Sequence, residues 1–505
     1  MCKRRGILPA FDCFPLAPFG KIGYDNIRRL PRGRSWIFIC KGELTGMRSG
    51  TMNMTEGNVR RVMIAFALPV FFSQLFQQLY STADSLIVGN LLGKQALAAV
   101  SSSGSLLHLL TSLTAGIAMG ASVVISRYFG ADEPEAVSKT IHTTVAFGVA
   151  AGLFMTVFGA LFAPVMLKWM GTAPDVLEGS IASFRNYFYG ALPMMLYNVF
   201  TGIMTALGDS RRPLYYLLFS SVLNVLLDIF FIAVLGMGVG SAAVATSISQ
   251  AASAILCYLH LRKPGTIYQV RLKDVRFHGA LMREVTQMGL PTGVQNSVIA
   301  IANVLLQSYI NSFGSDAMAA CGTYAKLQGF AFLPITSFAM ALTTFISQNL
   351  GAKEYDRAKS GAKFGIISMV ILSEMIGIVL AVGAPFFASL FNSDPNVIHI
   401  AATQSRIENF FFCLLAFSHA VAGVCRGAGK ATVPMLVMLL IWCVFRIIFI
   451  VTGISIVNDI RILFWAYPVT WMISSVIFLV YLLKSDWVHG FDHANSHHRM
   501  RFSHG

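Results

Sequence analysis

AMGASVVISRYFGA (118–131) returns as AMALTTFISQNLGA (339–352), 221 residues further along the chain. Two more echoes keep that offset. GIMTALGDSRRP (202–213) aligns with GVCRGAGKATVP (423–434), and GKQALAA (93–99) with GSDAMAA (314–320). The chain is therefore read as two copies of one unit, and the fold follows from what each copy is made of.

Each copy is made of apolar runs. The 505 residues are 55% hydrophobic and only 12% charged, with a mean hydropathy of +0.65. Soluble domains carry roughly a quarter charged residues, so the missing charge is the stronger signal. Twelve candidate spans appear, at 60–90, 96–127, 139–163, 183–207, 213–235, 241–261, 285–312, 318–348, 363–390, 406–428, 434–456 and 462–484. Crossing the hydrocarbon takes about 20 helical residues. The expected fold is an all-α polytopic membrane protein of twelve transmembrane helices in two pseudo-symmetric six-helix bundles. Both copies start in the same orientation. This is a parallel repeat, with its axis along the membrane normal and a site between or inside the lobes near the midplane.

Basic residues collect in alternate loops: Arg60 and Arg61, Arg127 and Lys139, Arg211 and Arg212, Arg262 to Arg283, Lys353 to Lys363, Arg426 and Lys430, and Lys484. The opposite loops hold little beyond Lys94, Lys168 and Arg461. This asymmetry predicts cytoplasmic N and C termini in a multi-pass protein of the cell (inner or plasma) membrane. The net charge of +15 is thereby topogenic, and no nucleic-acid partner is expected. The eight cysteines form no CxxC pair, and five lie in apolar helices. They are read as small packing residues, with no metal or redox role.

The expected organisation is a basic N-terminal extension (1–57), disordered or upstream of the start site, and an N-terminal six-helix lobe (58–261). A cytoplasmic linker loop (262–284), a C-terminal lobe (285–484) and a polar tail (485–505) with His489, His493 and His497 follow. No secretory signal is recognisable at the basic start. GMGVG (236–240) reads as a tight turn between helices.

VLNVLLDIFFI (222–232) holds one acid among aliphatic and aromatic residues. A charge at the centre of a membrane helix costs about 2.5–3.5 kcal/mol on insertion scales, so such residues are functional candidates. The set is short: Asp84, Asp228, Glu374 and Arg446. Counting from the turns, Asp84 in span 1, Asp228 in span 5 and Thr246 in span 6 share one depth. Asn224 sits one helical turn from Asp228 on the same face. Two carboxylates, an amide and a hydroxyl can bind a small hard cation through oxygen. They can also hold a proton, because two neighbouring acids resist double ionisation. Shifted by 221 residues, the four positions become Leu305, Phe445, Phe449 and Tyr467. A need of the scaffold would appear in both lobes; these acids serve a task of the first. Glu374 and Arg446 lie on spans that start from the same side and reach equal depth, which favours a buried ion pair between them over a substrate or second proton site.

At these residues the chain resembles the multidrug and toxic compound extrusion (MATE) family, in its bacterial type. The resemblance covers 58–484 and rests on ADSLIVGNLLGKQALAAV (83–100), ISRYFGA (125–131), ALGDSRRP (206–213), VLNVLLDIFFI (222–232), ISQNLGA and GAGKATVP. It implies an antiporter in which an entering sodium ion or proton drives export of amphipathic, often cationic compounds by alternating access. No cofactor, enzyme activity or metal beyond sodium is implied. The expected partners are small-molecule substrates and the lipid bilayer, and the expected state is a monomer. The family's cation site carries over to Asp84, Asn224, Asp228 and Thr246, with Gln77 lining the same cavity. A central cavity lined by aromatic and Met side chains would suit varied substrates. A C-lobe cation site is not expected: span 7 has only Glu284, at its entrance, and span 10 has Glu408 near its start. Two rivals remain open. A lipid-linked precursor flippase would line the cavity with Lys326, Arg426 and Arg446, and a membrane enzyme would use the Asp pair as a dyad.

Overall fold

Inside a bilayer no water satisfies the backbone, so an apolar chain must bond to itself, and the helix does this within one segment. The computed structural model describes residues 52–92, 112, 114–169, 174–238 and 240–491, and they are helical almost throughout. Residues 1–51, the stretch 96–111 of the expected second span, and the tail from 492 with His493 and His497 lie outside the described residues.

The helices follow the expected order. They are α1 (Val59–Leu92), α2 (114–130), α3 (Pro134–Trp169), α4 (Pro174–Tyr189 and Ala191–Ala206), α5 (Arg211–Ile229, continuing through a π-turn at Phe230–Val234) and α6 (Gly240–Leu261). The second lobe has α7 (Gly279–Asn311), α8 (Ser315–Gly351), α9 (Tyr355–Val382), α10 (Pro395–Asn409 and Phe412–Gly427), α11 (Thr432–Ile456 with a π-turn at Leu439–Phe445) and α12 (Arg461–Lys484). Among the described residues nine helices are long and apolar enough to cross a membrane, ten with bent α10 counted as one. The remaining two of the twelve are α2, only partly described, and α4, divided at Gly190. Several helices outrun their apolar stretch. α7 begins at Gly279 rather than at 285, and α9 at Tyr355 rather than at 363, because the polar residues before each span continue the helix.

Local chemistry sets the ends. The Asn58 side chain accepts from the backbone N–H of Arg60 (3.0 Å) and Arg61 (3.3 Å) and caps α1. Asp394 does the same for α10, accepting from Asn396 N–H at 2.8 Å, with Pro395 following it. Both are orphan-donor solutions typical of helix starts. Of the GMGVG stretch, residues 236–238 are described and lie outside any helix, with Gly236 at φ +64°.

The pseudo-symmetry extends to the helix breaks. α4 is interrupted at Gly190, where a Cβ would overlap the Ser247 side chain of α6. α10 is interrupted at Phe410 and Phe411, with a bend of 54°. Gly190 and Phe411 are related by the 221-residue offset.

It is clearest where the lobes meet. A Cβ on Gly130 of α2 would strike the Gln348 carbonyl of α8, and one on Gly351 would strike the Arg127 carbonyl. The offset converts each pair into the other, so the two-fold axis runs between them. Gly116 and Gly120 of α2 pack against Gly293 and Gly289 of α7 in the same way. Small residues let membrane helices approach closely.

This crossing lies at the end of the bundle that carries the basic loops, and side chains bonded to backbone seal it. Ser347, Gln348 and Asn349 are fully buried. Gln348 donates to Ala206 O (2.8 Å) and accepts from Met54 N–H (3.0 Å). Ser347 donates to Val123 O at 2.7 Å. Arg357 holds the segment before α1 through the carbonyls of Met54, Glu56 and Gly57. Residues 52–57 are therefore docked onto α8, and after α12 the Trp487, Val488 and Phe491 side chains are buried too.

Arg127 forms a buried ion pair with Glu284, which also accepts from the Tyr128 hydroxyl at 2.9 Å. The Arg127 guanidinium stacks on Tyr128 and Phe491. Removing one partner of a buried pair strands the other charge, at a cost of about 3–5 kcal/mol. Glu284→Ala is expected to lower the apparent melting temperature of detergent-purified protein by several degrees. An unchanged melting curve would show that the pair contributes nothing to the closed end.

Candidate functional site

Three helices of the N-terminal lobe position the site. α5 packs along α1 on one side and α6 on the other. Asp84 comes from α1, Asn224 and Asp228 from successive turns of α5, and Thr246 from α6. Asp228 and Asn224 are essentially without solvent exposure. The Asp84 and Asp228 carboxyls adjoin one another. Asn224 donates its amide N–H to Thr246 Oγ1 at 3.2 Å. The π-turn of α5 starts two residues after Asp228. Such wide turns recur at functional sites.

The four residues expected from the sequence are thus brought together. What marks the cluster is the direction of its hydrogen bonding. Asp84 Oδ1, both Asp228 oxygens and Asn224 Oδ1 are buried and have no hydrogen-bond partner. Buried polar atoms are nearly always paired, and here the unpaired ones are acceptors. No basic side chain pairs with either acid among the described ion pairs. The residues present fit a bound positive ion: a small cation held by oxygen, or a proton shared by the carboxyls. Among the described residues no group of three or more His, Cys, Asp and Glu is arranged for a metal ion.

Two neighbours were not singled out in the sequence. Tyr80, one turn before Asp84, lies beside both acids and beside Gln250, one turn after Thr246 on α6. Their signal was present as four-residue spacing from two named residues. Tyr80 is also within electrostatic reach of Tyr197 of α4, and Tyr197 lines a cavity between the lobes.

That cavity has a volume of about 250 Å³. It rests on the closed end, with Ser122, Thr343 and Thr344 a turn above the residues that seal it. Gln77 lines it, two turns along α1 from Asp84. Among the described residues its wall carries no charged side chain. Hydroxyls and amides outnumber the aromatic and Met groups, of which it has only Tyr197, Met119 and Met340. The expectation of an aromatic, Met-rich lining is corrected accordingly.

Glu374 and Arg446 are not brought together. Glu374 accepts from the Cys413 N–H at 2.8 Å, across the break in α10. A carboxylate there takes one of the free donors at the start of the second α10 segment. Arg446 donates to Thr470 Oγ1 at 2.8 Å and lies 4.2 Å from the Tyr467 ring centroid. The acid that acts on it is Glu408. Glu408 is buried and accepts from Gln404 at 2.8 Å. Equal depth placed Glu374 and Arg446 in one layer but on faces that do not meet.

In the second lobe, three of the four positions matching the N-lobe site are aromatic and the fourth is Leu305. The Phe445 and Phe449 ring centroids are 6.3 Å apart, and Tyr467, at the place of Thr246, supports Arg446.

Two pseudo-symmetric six-helix lobes around a shared cavity, with an acid pair inside one of them, define a membrane transporter and not an enzyme. The MatE family model matches the chain twice, over residues 69–230 and 291–452. The chain belongs to the MatE family. It is 28% identical to the probable multidrug resistance protein YoeA of Bacillus subtilis, over 78% of this chain and 86% of that one. It is 24% identical to a protein of Shewanella oneidensis named as an FAD transporter, over 67% of this chain and 76% of that one. Among solved structures it is similar to an outward-facing multidrug resistance MATE family transporter of the MOP superfamily. The TM-score is 0.80 at 21% identity, covering 86% of this chain and 97% of that one.

Proposed function

We propose that this transporter is a cation-coupled antiporter of the cell membrane. It exports amphipathic, often cationic compounds in exchange for an entering sodium ion or proton. One observation carries the reading: a buried group of acceptor oxygens without donors, built into one lobe and replaced by one leucine and three aromatics in the other. The names of relatives such as YoeA support the substrate class.

Asp84, Asn224, Asp228 and Thr246 hold the ion, and Gln77 and Tyr197 face the substrate. With both acids ionised the lobe carries negative charge beside a neutral, hydroxyl-rich cavity, which favours a cationic guest. Binding of one such ion offsets one of the two negative charges and weakens the guest's hold. The ion and the guest must differ in affinity between two arrangements of the lobes for their fluxes to be coupled. The sealed basic end, proposed as the cytoplasmic side with both termini, is one of those arrangements. The protein acts as a monomer, since each chain holds a complete site. The flippase alternative loses its third basic residue, because Arg446 is engaged by Thr470, Tyr467 and Glu408.

The test is efflux of ethidium from loaded proteoliposomes with an inward cation gradient imposed and then dissipated. The expected result is efflux that accelerates with the gradient and falls back when it collapses. Equal rates in both conditions would remove ion coupling from the proposal.

A further inference from the structure

Gln250 is the residue of this lobe whose placement the cation reading leaves unused. It is 8% exposed. It follows Thr246 by one turn on the same face of α6 and adjoins Tyr80, itself beside both acids. Its amide oxygen is buried and has no hydrogen-bond partner. With it the orphan acceptors number five: Asp84 Oδ1, Asn224 Oδ1, both Asp228 oxygens and Gln250 Oε1.

The count discriminates between ions. One proton makes one O–H donor, which can join the two carboxyls and leaves both amide oxygens unpaired. A water molecule brings two hydrogens and no charge to offset the carboxylates. A hard cation accepts oxygens from carboxylates and neutral carbonyls alike, and several at once. Two amide carbonyls serve no purpose in a site for protons alone, and an unmade hydrogen bond in a buried position is costly.

We propose that Gln250 is the fifth residue of the N-lobe site and that its amide carbonyl, with that of Asn224, makes the site a sodium site rather than a site for protons alone. This rests on the cation-coupled reading above and names its ion. Tyr80, hydrogen-bonded to the Gln250 side chain, is the positioning residue that holds this amide.

The experiment reads sodium binding directly, without transport. A ligand that binds only the folded protein raises its melting temperature with concentration. Purified protein is melted over a series of sodium chloride concentrations, with choline chloride holding ionic strength constant. Wild type is expected to show a saturable rise. In Gln250→Leu the half-saturating sodium concentration is expected to increase by about ten- to a hundredfold, the range seen when a site loses a supporting group. Gln250→Glu keeps an oxygen at the position and is expected to retain saturable binding. A merely structural role for Gln250 would lower the melting temperature in choline for both variants and leave the sodium midpoint unmoved. That outcome, or a wild type that ignores sodium, overturns the inference. The parent reading fails separately, if Asp228→Asn still couples efflux to a gradient.

Discussion

Asp228→Asn is expected to abolish the acceleration of efflux by an ion gradient while leaving a folded, membrane-inserted protein. The exchange is nearly isosteric, so packing against α1 and α6 is retained. What changes is charge: the amide brings two donors of its own, fills the acceptor void and needs no ion. Asp228 has no exposure, and its neighbour is the Asp84 carboxyl, to which an amide can still donate. Couplings between sites run about 1–3 kcal/mol, so gradient-driven efflux should fall by roughly 5- to 150-fold. Asp84→Asn should act in the same direction, because the two carboxyls adjoin. Glu374→Gln should not, because an amide oxygen can still accept from the Cys413 N–H. A comparable loss in all three variants would mean that the acids act through stability.

Gly130→Val has the second large effect. Its Cβ would enter the space of the Gln348 carbonyl, and the backbone of a packed helix cannot yield as a flexible side chain can. Overpacking costs about 1–3 kcal/mol in an ordinary core. Here the displaced carbonyl belongs to a fully buried residue that also holds Ala206 and Met54. The closed end should loosen as a unit, and export should fail because one of the two arrangements is lost. Hydrogen exchange of the amides around 345–351 should speed up, and the melting temperature should drop. Gly351→Val should match it, since the axis relates the two contacts. If exchange at 345–351 is unchanged in Gly130→Val, the crossing is not what seals this end.

The repeat was legible because apolar periodicity and small-residue motifs are local properties of a chain. The acids were legible because water-loving groups stand out in apolar helices, and their depth follows from counting residues. Which way a side chain faces around the helix axis is another matter. Glu374 and Arg446 share a depth, yet one caps a helix break and the other lies on an aromatic ring. The break at Phe410 and Phe411 carries neither Pro nor Gly, so no local signal marked it. Only its symmetry mate, Gly190, has such a residue. Tyr80 and Gln250 are common residue types, and their meaning depends on the acids beside them. Residues 52–57 looked like the end of a polar arm. Their docking depends on Gln348 and Arg357, some 300 residues away.

The most direct measurement follows the ion rather than the drug. Proteoliposomes loaded with ethidium are placed in medium without an imposed ion gradient, and the outward dye gradient is the sole driving force. Sodium uptake and internal pH are recorded in parallel, for wild type and for Asp228→Asn. An exchanger built on the N-lobe acids must draw ions inward as dye leaves, and the variant must not. Dye that leaves wild-type vesicles with no counter-movement of sodium or protons would contradict it, as would a variant that exchanges both as wild type does.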